Sequence, residues 1–211
     1  MARNVGPQCR LCRAEQTRLY LKGDRCNGPK CPITKKKAAP GKAPRARAGR
    51  VSDYGVQLRA KQKLRRMYGL LESQFHGYFV KAAHTKGKTG EDLIRRLESR
   101  LDNTVYRMHF ASSRKAARQV VLHGHVTVNA RRVNVPSFQV KAGDSVQIKE
   151  PSRKLTVIKE SLKGYSRSGV VPWLEVDPDA MVGKVRAIPS RSEIQDLAGI
   201  NEQLIVELYS K

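Results

Sequence analysis

Between residues 93 and 150 the apolar positions change period. Leu93, Ile94, Leu97, Leu101, Val105 and Met108 recur at threes and fours, which lines one face of a helix. Ser112 and Ser113 supply an N-cap for a second, shorter helix with Ala116, Ala117, Val120 and Val121 inward, and Gly124 stops it. The period then falls to two. Val126 and Val128 stand against His125, Thr127 and Asn129; Val133 and Val135 against Asn134; Val146 and Ile148 against Ser145 and Gln147. Lys141-Ala142-Gly143-Asp144 reads as a turn. The pattern predicts two helices packed on a small antiparallel sheet. Its solvent side is basic: Arg114, Lys115 and Arg118 on the second helix, then Arg131 and Arg132 at the hairpin.

The flanks are more helical. Ser52 caps a helix reaching about residue 68, with Val56, Leu58, Leu64 and Met67 as its apolar side. Arg59, Lys63 and Arg66 fall on another face at i, i+4 and i+7, a spacing that suits a row of phosphates or a solvated basic face. A further helix, about 73–86, buries Phe75, Tyr78, Phe79 and Ala82; aromatic residues at helical spacing read as core before base-stacking platforms. Residues 153–163 predict a helix with Leu155, Ile158 and Leu162 apolar, broken by Ser166, Ser168 and Gly169. Two strands, 170–176 and 182–188, joined at Asp177-Pro178-Asp179, extend the sheet. Pro189 and Ser190 end it, and Asn201 caps a terminal helix with Leu204, Ile205 and Leu208 inward.

Charge sets the class of partner. Forty-two Lys and Arg against 18 Asp and Glu leave a formal charge of +24 over 211 residues, an excess that repels itself unless a polyanion neutralises it. No apolar run approaches the ~20 residues that span a bilayer, and the N-terminus lacks an apolar signal segment, so nucleic acid is favoured over membrane. Residues 33–50 carry Lys35, Lys36, Lys37, Lys42, Arg45, Arg47 and Arg50 with few large apolar side chains. Alone this is a disordered linker; against phosphates it is an ordered arm.

All four cysteines lie near the start, at Cys9, Cys12, Cys26 and Cys31, separated by two, thirteen and four residues. Short pairs on tight turns can converge on one ion, and four thiolates suit tetrahedral zinc. Gly23, Gly28 and Pro29 provide bends, and nearby Lys and Arg favour thiolate. Two other readings remain: disulfides, which the reducing compartment expected for a nucleic-acid-binding chain disfavours, and an iron–sulfur cluster of the 4Fe-4S kind, which four thiolates also hold. With four protein ligands a metal keeps no open position for catalysis.

Gly87-Lys88-Thr89 has the ending of a phosphate-binding P-loop, but the glycine needed five positions earlier is replaced by Ala82, and no strand precedes it. His123 and His125 flank Gly124 at the helix-to-strand corner; with no acid or thiol close in sequence they read as RNA-proximal rather than metal-binding. No pattern of nucleophile and base stands out.

Several motifs together resemble a known family. Residues 97–103 (Leu-Glu-Ser-Arg-Leu-Asp-Asn), 113–119 (Ser-Arg-Lys-Ala-Ala-Arg-Gln), 123–129 (His-Gly-His-Val-Thr-Val-Asn) and 142–144 (Ala-Gly-Asp) are similar to the RNA-binding domain named after bacterial ribosomal protein S-four. Residues 52–64, 173–177 and 201–211 resemble the ribosomal member of that family, so the likeness covers nearly the whole chain. The fold class expected is α+β: N-terminal helices and the C-terminal helix forming a helical domain, an RNA-binding domain of two helices on a small antiparallel sheet, and an N-terminal metal knuckle of four cysteines. The expected organisation is 1–50 for knuckle and basic linker, 51–92 for the helical domain completed by 190–211, and 93–189 for the RNA-binding domain. The resemblance implies a cytoplasmic protein of the small (30S) subunit that binds the 5′ domain of 16S rRNA early in assembly. It also implies contacts with ribosomal proteins S-five and S-three, a part in decoding accuracy, and basic residues (Arg47 and Arg50) beside the entrance path of messenger RNA. It implies no small-molecule substrate. Since some relatives lack the cysteines, the metal is implied to be a staple of the fold. Two departures stand out. The family's Pro-Gly-Gln-His-Gly pattern is here Pro40-Gly41-Lys42-Ala43-Pro44, and its Asn-Gly hairpin turn is Asn129-Ala130, for which a different turn type is expected because alanine tolerates positive φ poorly.

Two other function classes are weaker. Arg100-Leu101-Asp102 matches the segment that holds the catalytic aspartate of some pseudouridine synthases, yet it falls in the RNA-binding domain's own first helix and no stretch is long enough for a separate catalytic domain. A zinc-dependent DNA-binding regulator should place a recognition helix directly after the knuckle, where a Pro-Gly-rich basic linker stands instead.

Overall fold

Two of the expected helix starts are made by the serines placed there to make them. In the computed structural model, which describes residues 4–41, 50–165 and 169–210, Ser52 Oγ accepts from the Gly55 N–H at 3.2 Å and Ser113 Oγ from the Ala116 N–H at 3.3 Å. Each satisfies a donor that a helix N-terminus leaves open. The elements in chain order are α1 (Gln8–Glu15), α2 (Asp53–Met67), α3 (Glu72–Ala83), α4 (Thr89–Glu98), α5 (Leu101–Arg107), α6 (Arg114–Leu122), β1 (Val126–Val128), β2 (Arg131–Arg132), β3 (Ser145–Ile148), α7 (Thr156–Leu162), β4 (Leu174–Asp177), β5 (Val182–Val185) and α8 (Gln203–Tyr209), with short 3-10 turns between some of them. Ser166 and Ser168, expected to break a helix, lie outside the described residues.

The chain divides into two units, Met1–Gly90 with Asp196–Lys211, and Glu91–Gln195. In the first, α8 packs on α2 and its Tyr209 ring lies against Phe75 and Phe79 of α3, with centroids at 6.4 and 4.6 Å. The buried side of α2 differs from the apolar pattern. Val56 is exposed, and Gln57, Lys61, Leu64 and Met67 are buried. Two polar side chains can be buried there because each meets a partner. Gln57 Nε2 donates to Glu207 Oε2 at 2.9 Å, and Lys61 pairs with Glu72 while its ammonium sits 5.4 Å from the centroid of the Tyr209 ring. Glu72 also accepts from the Tyr209 hydroxyl at 2.8 Å. On α3, Phe75, Phe79 and Ala82 are buried and Tyr78 is only half-buried. Asn201 Oδ1 accepts from the Gln203 N–H at 3.0 Å and so caps α8.

In the second unit every strand pair is antiparallel, in the order β2-β1-β3-β5-β4. β4 and β5 extend the sheet as expected, and Asp177 Oδ1 closes their connection by accepting from the N–H groups of Asp179 and Ala180 at 3.0 Å each. Val126, Val146 and Ile148 face a core that also holds Leu93, Ile94, Leu97, Leu101, Val105 and Met108, each at most 1% exposed. Three expectations change here. The first helix is two, because Ser99 and Arg100 leave the helical path and the backbone of 99–102 bonds to 136–140. Ser99 O accepts from Val140 N and Leu101 N donates to Phe138 O, both at 2.8 Å, while Asp102 N donates to Pro136 O at 3.2 Å. The second strand stops after Arg132, so Val133 and Val135 are not in it; Pro136 lacks the N–H that a continued ladder needs. Finally, Asn129 and Ala130 both have positive φ, 48° and 63°. Paired Val128 and Arg131 flank them, so the connection keeps the two-residue geometry that glycine usually serves. Asn129 holds it: its Oδ1 accepts from Ser145 N at 2.9 Å and its Nδ2 donates to Asp144 Oδ1 at 2.8 Å.

Candidate nucleic-acid interface and thiol cluster

The basic residues of α6 do not all face solvent. Arg114 and Arg118 are 7% and 5% exposed, against the expectation that both lie on the outer face, and only Lys115 of the three is exposed. Positions 114, 117, 118 and 121 share one helix face, and that face is turned to α5, whose first turn offers acceptors. Arg114 Nε donates to Asn103 Oδ1 at 2.8 Å, and its guanidinium lies 4.7 Å from the Tyr106 ring centroid. Arg118 Nη1 donates to Asp102 Oδ2 at 3.3 Å. Arg100, 2% exposed, holds the same carboxylate with Nε to Oδ1 at 3.0 Å and Nη2 to Oδ2 at 2.6 Å. Beside them Glu98 accepts from Asn103 Nδ2 at 2.7 Å and from Arg107 Nη2 at 2.9 Å. Glu98, Arg100, Asp102, Asn103, Arg114 and Arg118 therefore form a buried network that locks α5 to α6. Asp102, clamped between two guanidiniums and 5% exposed, is not placed as an accessible catalytic base.

The corner after α6 is open. Gly124 turns the chain at φ +71°, and the Arg132 guanidinium packs directly on it; a Cβ at 124 would stand 2.7 Å from Arg132 Cζ. On either side, the rings of His123 and His125 meet edge to face at 5.9 Å. His125 Nδ1 is 2.9 Å from Ser152 Oγ. Burial, then His123, Arg132 and Lys149, pushes the His125 imidazole below its ordinary range. Arg132 and His123 are exposed and His125 half-buried, so three of the expected residues come together on one accessible edge, while Arg131, also exposed, is the adjacent residue of the same hairpin. Lys149 and Ser152 join them, and no local pattern signals it: they lie more than twenty residues downstream and arrive only because β3 pairs with β1.

The expected row on α2 is partly used inside the protein. Arg59 Nη1 lies 3.3 Å from Glu15 Oε1 and Arg66 pairs with the same oxygen, Glu15 being 3% exposed at its side chain. Arg66 is thus a tie between α1 and α2 rather than a free phosphate contact, and burial lowers its proton affinity despite Glu15. Lys63 Nζ donates to the Gly199 carbonyl at 3.3 Å. Arg59, with its side chain 46% exposed, and the exposed Arg50 keep access to solvent. Arg45 and Arg47 lie outside the described residues.

Cys9, Cys12, Cys26 and Cys31 converge. Together with Leu21, Lys22, Arg25 and Pro32 they line one cavity of about 10 Å³. α1 carries the first pair, and the turn Gly23–Cys26 carries the third, whose Sγ accepts from the Lys22 N–H at 3.3 Å. Burial raises the Cys12 and Cys26 thiols. Cys31 goes the other way: burial acts against it, but the N–H groups of Thr34 and Ile33, the Thr34 hydroxyl and Arg18 favour its thiolate. All four are free thiols, and no disulfide joins them. As a donor set, four soft sulfurs around one space fit zinc or an iron–sulfur cluster. Among the described residues no three His, Cys, Asp or Glu side chains already stand at metal-holding geometry, so closure on an ion requires side-chain adjustment.

No helix of the described residues is long and apolar enough to cross a membrane. Comparison with known proteins completes the picture. Residues 3–98 match the family described as ribosomal protein S4/S9 N-terminal domain, and residues 99–146 match the S4 domain. The chain is 56% identical over 211 residues to the small ribosomal subunit protein uS4 of Geobacter sp. (strain M21), and 56% identical to that of Citrifermentans bemidjiense. It is 53% identical to the protein of the same name in Nitratidesulfovibrio vulgaris. In each case the match covers 100% of both chains.

Proposed function

Because the chain belongs to the uS4 family of small ribosomal subunit proteins, we propose that it is a structural constituent of the ribosome that binds the 5′ domain of 16S rRNA and helps the subunit assemble. The observation that carries this reading is the end-to-end match at 56% identity, which leaves no part of the chain for a separate catalytic domain. The charge supports it: a formal +24 is a surface for a polyanion, and phosphate contacts from exposed Lys and Arg supply affinity without base chemistry. Specificity then comes from the shape of a folded RNA junction against a rigid protein surface. The buried α5–α6 network supports rigidity, since it holds Lys115, the His123–His125 corner and the Arg131–Arg132 hairpin at fixed spacing.

Three further roles belong to the same reading. Arg47 and Arg50 border messenger RNA at its entrance, and neighbouring ribosomal proteins S-five and S-three complete that site and influence decoding accuracy. Cys9, Cys12, Cys26 and Cys31 would hold Zn²⁺, or a 4Fe-4S cluster, as a staple of the N-terminal segment, and the convergence of all four thiols on one cavity supports this. A bound ion there would cross-link α1 to the turn Gly23–Cys26 without offering a position for catalysis.

The test is binding of the purified full chain to a folded 5′-domain fragment of small-subunit rRNA, against a length-matched unrelated RNA at raised salt. Strong preference for the rRNA fragment is expected. Equal binding to both, lost together as salt rises, would reduce the surface to a generic polyanion binder.

A further inference from the structure

The His123-Gly124-His125 corner holds more positive charge than its packing needs. Four groups from separate places in the chain surround it: His123 at the end of α6, His125 before β1, Arg132 on β2 and Lys149 after β3. The 3-10 turn Glu150–Lys154 adds Ser152, whose hydroxyl meets His125 Nδ1, and its other charged residues are Glu150, which is exposed, Arg153, whose Nε donates to the Ile148 carbonyl at 3.3 Å, and Lys154. Every charged neighbour that acts on His125 is a cation. Holding like charges at this distance costs free energy, and an anion seated among them offsets it.

The backbone is built for this approach. Gly124 lets the Arg132 guanidinium approach the backbone beside the two imidazoles, since a Cβ at 124 would stand 2.7 Å from Arg132 Cζ and force that side chain to shift. Among the described residues no hydrogen bond is made to His125 Nε2, so this nitrogen remains for a ligand on the open side. Resting on the RNA-binding reading, we propose that this corner is a phosphate subsite whose occupation by the RNA backbone is coupled to uptake of a proton by His125. In the free protein burial first, and then the neighbouring His123, Arg132 and Lys149, disfavour imidazolium. A phosphodiester among Arg132, Lys149 and His123 cancels their field, and His125 then takes a proton from the buffer and donates from Nε2 to a phosphate oxygen.

The experiment is the dissociation constant of the full chain for the folded 5′-domain fragment, measured between about pH 8 and pH 6 at fixed salt, the range where imidazole titrates. Wild type should tighten about three- to tenfold over that range, within the limit that linkage sets for one proton. His125→Gln should show a flat profile near the wild-type value at high pH, and His125→Arg a flat profile near the wild-type value at low pH. Calorimetry of the unaltered protein in two buffers of different ionisation enthalpy should register net proton uptake, which makes the result independent of how the variants fold. A flat wild-type profile with RNA preference intact overturns this inference alone, as does an unchanged slope in His125→Gln. Absence of RNA preference at every pH overturns the RNA reading and this inference with it.

Discussion

Replacing Asp102 with alanine removes a carboxylate that holds both Arg100 and Arg118. The three hydrogen bonds it accepts from them are 2.6, 3.0 and 3.3 Å long, and the guanidiniums left behind are almost wholly buried, with Arg100 at 2% and Arg118 at 6% side-chain exposure. Water does not reach guanidiniums in that position, so most of the desolvation cost stays while the attraction is gone. Removing one partner of a buried ion pair costs about 3–5 kcal/mol, a large share of the roughly 5–15 kcal/mol that holds a domain together. The readout is close at hand: Trp173, the single tryptophan, is 5% exposed and lies in the same unit as the network. Urea unfolding followed by its fluorescence should show the midpoint falling sharply for Asp102→Ala. Lys115→Ala, on the exposed side of α6, should stay within about 0.5 kcal/mol of wild type. Arg118→Ala should lose folding stability while the salt dependence of RNA binding keeps its slope, because the guanidinium is buried against Asp102. A loss below about 1 kcal/mol for Asp102→Ala, or an equal loss for Lys115→Ala, would refute the claim that this network carries the α5–α6 contact.

Ala130→Gly should stabilise the protein by up to about 1 kcal/mol, since the residue sits at φ 63° where a Cβ is strained; a drop in the urea midpoint would contradict that. The Met1–Gly90 unit should weaken in acid. Burial raises the Glu72 carboxyl, but the Lys61 and Tyr209 hydrogen bonds and the charges of Lys61 and Arg65 outweigh it and hold it below the ordinary range. A carboxyl lowered on folding contributes stability above its unfolded value and loses it as pH falls through the folded one, so circular dichroism should report weakening below about pH 4 and a shallower fall for Glu72→Gln. Metal analysis of the purified chain should find a single ion bound by the four cysteines, and chelation should release it and make the thiols reactive toward a disulfide reagent. If six to ten phosphates are contacted, RNA affinity should fall roughly three to five orders of magnitude between about 50 and 200 mM salt, and a flat profile would contradict the electrostatic account.

The α+β class, the caps at Ser52 and Ser113, the stop at Gly124 and the sheet-extending pair β4 and β5 were legible because each is a local consequence of side-chain chemistry. A hydroxyl caps its own helix, and a period of two favours a strand wherever a partner strand can pair with it. The core of the second unit was legible for the same reason, since all six periodic apolar positions are buried.

Charge was the harder signal to read. Arginine at 114, 118 and 66 looks identical in sequence whether it faces solvent or another side chain, and here Asn103, Asp102 and Glu15 hold the three. Val56 and Lys61 exchange the places their polarity suggests because Glu72 and Tyr209 arrive from α3 and α8 to receive the ammonium. The break between α4 and α5 likewise depends on a segment about forty residues away in the chain, which offers backbone partners to Ser99 and Leu101. Sequence alone determined where most helices and strands begin and that the chain needs a polyanion, because propensity, capping and net charge are properties of neighbours and of sums. Only the tertiary structure decided which cations stay outside, because burial of a charge depends on the partner that meets it, and that partner is brought by the fold.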